Sequence, residues 1–405
     1  MSRVSEHSHS LAWIAGIALA AVWLHDAYGW RQAASWLIAA AIGVALLHAR
    51  FGFTSGLRAL VVERRGAGFR AQILLIGTTL LLFAPALASG EAFGTPVRGF
   101  VFPVGVALLA GAFLFGIGMQ LGGGCGSGTL CSAGGGAPRM WLTLVAFVAG
   151  ATLAAWQSPL WAGLPALPPV SLTGVFGWPA ATALGLAVLA GLWRLSVRLE
   201  RERHGAVAPL GGRGSLVSGP WPLAWGALAL ALLGFATLVV AGRPWGVTAA
   251  FPLWGSKLIE ALGLGEPAFW AYWEEPTRAE ALFRPMLADR TTVMDLGIVA
   301  GAALAASVAG RRGALVLPRP GEAAASVVGG LLLGIGATVG MGCNISAYLG
   351  GIASGSLHGW VWVLPALAGN VVGIALRPLF GLAGGWAPSP GAGGRSRCVL
   401  HQARL

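Results

Sequence analysis

Ten apolar runs, each of spanning or near-spanning length, constrain what this chain can become. They fall at about 11–27, 33–49, 71–89, 101–121, 140–156, 176–198, 221–241, 293–309, 325–342 and 358–380. Of 405 residues, 56% are apolar and only 10% are charged. A soluble domain carries about 25% charged residues, so this chain cannot cover a water-facing surface. The expected class is an all-α polytopic membrane protein, with the lipid bilayer as its solvent. The net charge of +12 does not point to nucleic acid, because the arginines sit in short loops between apolar runs.

Those loops fix an expected orientation. Arg50, Arg58, Arg64, Arg65 and Arg70 form one basic loop, Arg194, Arg198, Arg201, Arg203 and Arg213 a second, and Arg311, Arg312 and Arg319 a third. Arg395, Arg397 and Arg404 lie in the tail, whereas Glu266, Glu274, Glu275, Glu280 and Asp289 cluster between 263 and 292. Ten crossings with both termini cytoplasmic put every basic loop inside. The stretch at about 244–262 is too short and interrupted to cross, and reads as re-entrant or interfacial on the outer side. The polar N-terminus lacks a small-residue cleavage site after the first run, which therefore reads as a retained helix.

One motif occurs twice. FGIGMQLGGGCGSG at 115–128 is echoed by LGIGATVGMGCNIS at 333–346, so that Gly116, Gly118, Gly122, Gly124 and Cys125 match Gly334, Gly336, Gly340, Gly342 and Cys343. Arg50-Phe-Gly-Phe-Thr54 similarly resembles Arg243-Pro-Trp-Gly-Val-Thr248. In the expected topology the matched helices run in opposite directions, which is an inverted repeat with a shared site near the midplane. The expected organisation is an additional N-terminal helix (1–30), a first repeat (31–199), a cytoplasmic linker (200–220), a second repeat (221–385) and a cytoplasmic tail (386–405).

Successive glycines break a helix, each costing about 1 kcal/mol relative to alanine. Breaks at Gly122-Gly123-Gly124, Gly126 and Gly128 leave peptide N–H groups facing a cavity, and such half-helix ends attract anions. No Lys or Arg lies inside either stretch. Cysteine adds a weak S–H donor and a polarizable partner for sulfur, whereas an oxyanion alone would be served by Ser or Thr. A thiolate would repel an anion, so the neutral thiol is the form that serves one. The candidate substrate-binding residues are Cys125, Cys343, Gly124, Gly126, Gly342, Asn344 and Cys131, with Trp245 and Lys257 at the outer entrance.

The paired glycine–cysteine stretches, with RFGFTSG at 50–56 and RPWGVT at 243–248, resemble the YeeE/YedE (sulfur transport) membrane family over roughly 48–380. The resemblance implies thiosulfate uptake across a bacterial inner membrane through an hourglass-shaped interior. It also implies S–H···S hydrogen bonds from pore cysteines and a TusA-like sulfur-carrier protein as cytoplasmic partner. In that resemblance Cys125 matches the family's central first-half cysteine and Cys343 its second-half cysteine. The family's third cysteine lies in a motif like RFCFT, where this chain has Gly52. Either Cys131 substitutes, or two thiols suffice, or the substrate differs. Related members are linked to selenium metabolism, so a permease for a selenium compound or another sulfur anion is the runner-up.

Ordinary explanations compete at each position. Gly116, Gly118, Gly334 and Gly336 fit small-residue helix packing. Asn370 reads as a cap or helix bridge, Lys257 and Glu260 as a pair one turn apart, and His48 and His358 as interfacial. His7 and His9 make a poor metal site, no cofactor is implied, and Cys398 reads as incidental. A thiol–disulfide oxidoreductase would want a vicinal cysteine pair, and no C-x-x-C is present. No intramembrane carboxylate stands out as a proton site; Asp295 comes nearest.

Overall fold

The computed structural model describes residues 2–310 and 316–383, with side chains from His9 onward. Arg311, Arg312, Arg395, Arg397, Arg404, Cys398, the side chain of His7 and the tail at 386–405 lie outside the described residues. In chain order the helices are α1 (Ser2–Tyr28), α2 (Trp30–His48), α3 (Phe53–Glu63), α4 (Ala67–Ser89), α5 (Val106–Gly122), α6 (Gly126–Gly134), α7 (Pro138–Trp156), α8 (Pro159–Ala162) and α9 (Leu172–Phe176). They continue as α10 (Trp178–His204), α11 (Leu223–Ala241), α12 (Ala250–Ala261), α13 (Pro276–Phe283), α14 (Arg290–Val308), α15 (Pro320–Val339), α16 (Gly350–Ala353) and α17 (Leu357–Leu376). Two two-residue ribbons, Glu91–Ala92 with Thr95–Pro96 and Val104–Gly105 with Ala166–Leu167, are the sheet content of the described residues.

Among the described residues, ten helical segments are long and apolar enough to cross a membrane, at the ten expected places. The run expected at 101–121 starts as helix only at Val106, because Val104 and Gly105 are held in a ribbon with the segment at 166–167. The stretch at 244–262 contributes the 12-residue α12, too short to span.

Hydrogen bonds sort the loops into two ends. At one end Arg98 N donates to Gly242 O (2.9 Å), Val106 N to Pro165 O (3.0 Å) and Leu172 N to Gly355 O (2.8 Å). Gln32 Nε2 reaches Leu287 O (2.7 Å) at that same end. At the other end Trp221 N donates to His48 O (2.8 Å), the His204 ring lies 2.8 Å from Glu63 O, and Arg70 Nη2 donates to Ala208 O (2.8 Å). This second end carries Arg50, Arg64, Arg65, Arg203 and Arg319, and the first carries the acidic segment before α14. A fully buried ion pair, Arg70 Nη1 to Glu200 Oε2 at 2.6 Å, ties α4 to α10 at the basic end, and Ala208 N donates to the same carboxylate.

Helix neighbours are exchanged between the halves. α5 packs on α17 as α15 packs on α7; α4 on α11 as α14 on α2; α3 on α17 as α12 on α7; α6 on α14 as α16 on α4. At the centre α5 lies against α15. Without a hydrophobic drive between helices in lipid, close backbone approach is what holds them together. A Cβ on Gly118 would stand 2.7 Å from Leu333 N, and one on Gly336 2.7 Å from Gly111 O. Gly116 meets α17 and Gly334 meets α7 in the same way. These four glycines are packing residues.

Gly334→Ala drives a methyl into the backbone of α7, 2.7 Å from the Gly150 carbonyl carbon. Overpacking of this kind costs about 1–3 kcal/mol. Gly191 on α10 has open space over it. We expect Gly334→Ala to lower the melting temperature in detergent by several degrees, and Gly191→Ala to leave it unchanged or raise it.

Candidate functional site

Each matched cysteine begins a new helical segment after a break. α5 closes with Gly123 in the left-handed region (φ 89°). Cys125 is then extended and precedes α6, its carbonyl accepting from Thr129 N at 2.8 Å. In the second half Met341 (φ 60°) and Gly342 (φ 138°) turn the chain. Cys343 is extended and opens a π-type turn over Asn344–Leu349 that runs into α16. Wide turns of this kind recur at functional sites. A side chain at Gly342 would collide with Ser346 as well as strain the backbone.

The two cysteines meet at Gly126. A Cβ built there would stand 3.5 Å from Cys343 Sγ, and 3.2 Å from both Val247 Cγ1 and Thr248 Cγ2. The narrow gap over Gly126, bordered by Cys343 Sγ and roofed by the loop that opens with Arg243, lies one residue from Cys125, whose own Sγ faces Gly128, 3.6 Å from a Cβ built there. Cys125 is 1% exposed and Cys343 0%. Cys125 Sγ lies 3.6 Å from Ser127 Oγ. Cys343 Sγ accepts from Ile345 N (3.4 Å) and Ser346 Oγ (3.8 Å), and Ser346 Oγ in turn accepts from Cys343 N (3.1 Å). The loop at the start of α3 reaches the opposite break, where the Phe53 and Tyr348 rings lie 6.4 Å apart.

The polar groups around the gap divide into committed and open ones. Carbonyls at the end of α5 are capped: Leu121 O by Arg139 Nη2 (2.6 Å), Gly122 O by Thr143 Oγ1 (3.1 Å) and Gln120 O by Arg377 Nη1 (2.6 Å). Buried Thr129 Oγ1, Asn344 Oδ1 and Trp245 Nε1 have no hydrogen-bond partner among the described residues. Helix ends at membrane depth need such capping. Here the negative end of α5 is satisfied by cations, while α6 and the π-type turn begin at the thiols.

Of the expected site residues, Cys125, Gly126 and Cys343 come together. Gly124 lies against Thr129, a Cβ there standing 3.0 Å from Thr129 Oγ1, and Asn344 is buried beside Cys343. Cys131 is buried on α6, beyond the break, and none of Cys125, Cys131 and Cys343 is in a disulfide. Trp245 is 3% exposed, packed in the core. Lys257 is not paired with Glu260; its ammonium donates to Leu282 O (2.7 Å) and Arg284 O (2.8 Å) and tethers the outer segment around α13. His48 and His358 are buried within the protein at the ends of α2 and α17, His358 Nδ1 lying 2.7 Å from Ser356 Oγ. Asn370 bridges helices as expected, its Oδ1 accepting from Gln120 Nε2 (2.7 Å). Among the described residues no cluster of His, Cys, Asp or Glu could hold a metal.

Sequence reasoning missed Ser127, Val247, Ser346, Arg139 and Arg377. Arg139 carried a signal, as a lone cation one residue past Pro138 at the end of a glycine run. The gap at Gly126 makes a direct prediction. Gly126→Cys in a Cys125→Ser background is expected to form a disulfide with Cys343 on mild oxidation, since the new Cβ lies 3.5 Å from that sulfur. Peptide mapping under non-reducing conditions reads the cross-link.

Comparison with known proteins places this geometry in context. The profile of a family described as sulphur transport matches residues 48–372. A thiosulfate transporter, TsuA, of Spirochaeta thermophila is 25% identical over 358 residues, which is 82% of this chain and 95% of the relative. Proteins named probable transporter YedE match shorter stretches. That of Salmonella typhimurium is 29% identical over 163 residues, 40% of this chain and 39% of the relative. That of Escherichia coli is 30% identical over 144 residues, 35% and 34% of the two chains.

Proposed function

The chain belongs to the sulphur transport family, and from that premise we propose that it takes up thiosulfate through the gap at Gly126. The observation that carries the reading is the pairing of Cys125 and Cys343. Each starts a helical segment after a glycine break, and Cys343 Sγ borders the gap at the residue that follows Cys125. Peptide N–H groups at a helix start favour anionic oxygens. A neutral thiol donates S–H to a terminal sulfur, which sulfate lacks. Ser127, Thr129 and Ser346 add hydroxyls within the same region, and Asn344 a side-chain amide. The exchanged helix neighbours support an inverted repeat, with one thiol from each half at a shared site. The basic end supports a cytoplasmic placement of the termini in an inner membrane. A TusA-like carrier receiving sulfur at that end follows from the family resemblance. With Gly52 on the inner loop, two central thiols suffice in this reading, and Cys131 lies further along the inner path.

Cys125→Ala and Cys343→Ala, which remove the S–H donor, are each expected to fold as the parent does. Losing a hydrogen bond to a charged substrate costs about 1.5–3 kcal/mol, so uptake falls roughly tenfold or more. The measurement is growth of a thiosulfate-dependent sulfur auxotroph, with labelled uptake in proteoliposomes. Unchanged uptake in both variants removes the thiols from the mechanism. Thermal stabilisation of the purified protein across thiosulfate, sulfate, sulfite and selenite is expected to be greatest with thiosulfate. A larger shift with selenite would instead favour a selenium substrate.

A further inference from the structure

Asp295 lies on α14, one of the membrane-spanning helices, and is completely buried. Neither carboxyl oxygen has a hydrogen-bond partner among the described residues. The thiol gap does not use it. Its place on the helix connects it to that gap on two sides. One turn before it, Thr292 Oγ1 accepts from Trp254 Nε1 (2.9 Å) of α12, the helix that follows the Val247–Thr248 roof. One turn after it, the backbone of Val299 meets Gly134 of α6, the helix that opens at Cys125. Asp295 therefore sits between the contact of α14 with the helix that follows the Val247–Thr248 loop and its contact with the far end of the helix that opens at Cys125.

The charged groups nearby are engaged elsewhere. On its own helix, Arg290 Nη1 donates to Ala241 O (3.0 Å); just before the helix, Asp289 Oδ2 accepts from Thr292 N (2.7 Å) and Oγ1 (2.8 Å). Arg31 of α2 reaches Thr95 Oγ1 (3.5 Å), and Arg243 donates to Thr291 Oγ1 (3.2 Å). His48 lies at the far end of α2. α12 presents Lys257, bound to carbonyls, and exposed Glu260; α1 presents His9, His25 and Asp26, all exposed; α6 presents Cys131, uncharged as a thiol. An ionised carboxylate without a partner at this depth is far costlier than the neutral acid.

We propose that Asp295 is a proton-binding site that couples inward passage of the anion to inward passage of a proton. The inference rests on the reading of the chain as a sulfur-anion transporter. The carboxylate takes a proton from the outer side, so that its O–H bond forms, and releases it to the inner side as that bond breaks. No electron is transferred. The protonated acid adds no negative charge beside a passage that must admit a dianion, which is the step where an ionised neighbour would oppose the substrate.

The test uses the full-length protein in proteoliposomes with thiosulfate as the probe and a pH dye inside. For the unaltered protein, an inside-alkaline gradient is expected to raise initial uptake several-fold, and thiosulfate uptake to acidify the lumen. In Asp295→Asn the ratio of uptake with and without the gradient is expected to fall to one, with lumen acidification lost. Asp295→Glu should restore part of both. Gradient-dependent uptake that persists in Asp295→Asn overturns the proposal. So does unaltered protein that takes up thiosulfate with no response to the gradient and no lumen signal, a result that leaves the anion reading intact. Unaltered protein that takes up no thiosulfate overturns both. Should Asp295→Asn fail to fold, carbodiimide labelling of the unaltered protein decides the matter. Modification at Asp295 that falls as pH rises and is blocked by thiosulfate supports the site, and absence of modification there overturns it.

Discussion

The central constraint is the approach of α5 to α15 at backbone distance. In hydrocarbon, a broken helix is tolerated only where protein satisfies its open ends. Glycines on both helices let the antiparallel pair touch at backbone distance, Gly111 against Gly340 and Gly122 against Gly329. The two breaks therefore stand at opposite ends of the pair, and the chain after each returns toward Gly126 and Cys343; α7 and α17 pack alongside. The open ends are then treated unequally. Carbonyls closing α5 are met by Arg139, Thr143 and Arg377, whereas the starts of α6 and the π-type turn are left to the thiols and hydroxyls. The cations thus neutralise the end that would repel an anion, from positions outside the gap. On the proposed reading this leaves the thiols, with the open Thr129 hydroxyl, to meet the anion at a place where no fixed cation holds it.

The sequence made the spans and the motif pair legible because both are local patterns. Hydropathy over a window of bilayer length locates a helix regardless of its neighbours, and a glycine–cysteine match can be read one residue at a time. Asn370 was legible for a similar reason, since a lone amide on an apolar helix needs a partner and Gln120 supplies one. What was not legible was how closely a side chain is packed inside the protein. His48 and His358 stand at helix ends, where an interfacial place is the ordinary one. The contacts of the 219–221 segment and of Ser356 bury them instead. The His48 contact joins residues far apart in sequence, as does the one Phe102 N makes with His358 Nδ1 (3.4 Å). Lys257 failed for the same reason, because the carbonyls it binds are 25 and 27 residues away. The start of α5 at Val106 depended on a ribbon partner at 166–167, which no pattern within the helix announces. Roofing of Gly126 by Val247 and Thr248 was equally hidden: the loop was recognised as a motif, but its target was not.

The electrical problem of a dianion ties these features together. Moving one elementary charge against an inside-negative potential costs about 2.3 kcal/mol per 100 mV, and a dianion roughly twice that. Backbone donors and thiols lower the local barrier but do not alter the end-to-end difference, because they are the same in both directions of travel. Only a concentration difference, consumption of the anion on the inner side, or a co-transported cation can offset it. A passage gated by fixed Lys or Arg residues would hold the anion without changing that balance. A titratable group beside the gap changes it, since the proton it carries inward cancels part of the charge. The fold supplies one buried carboxyl on α14, braced between α12 and α6. In the proposed mechanism the two glycine–cysteine breaks select the substrate by its sulfur, and the proton carried at Asp295 offsets part of the charge that moves with it.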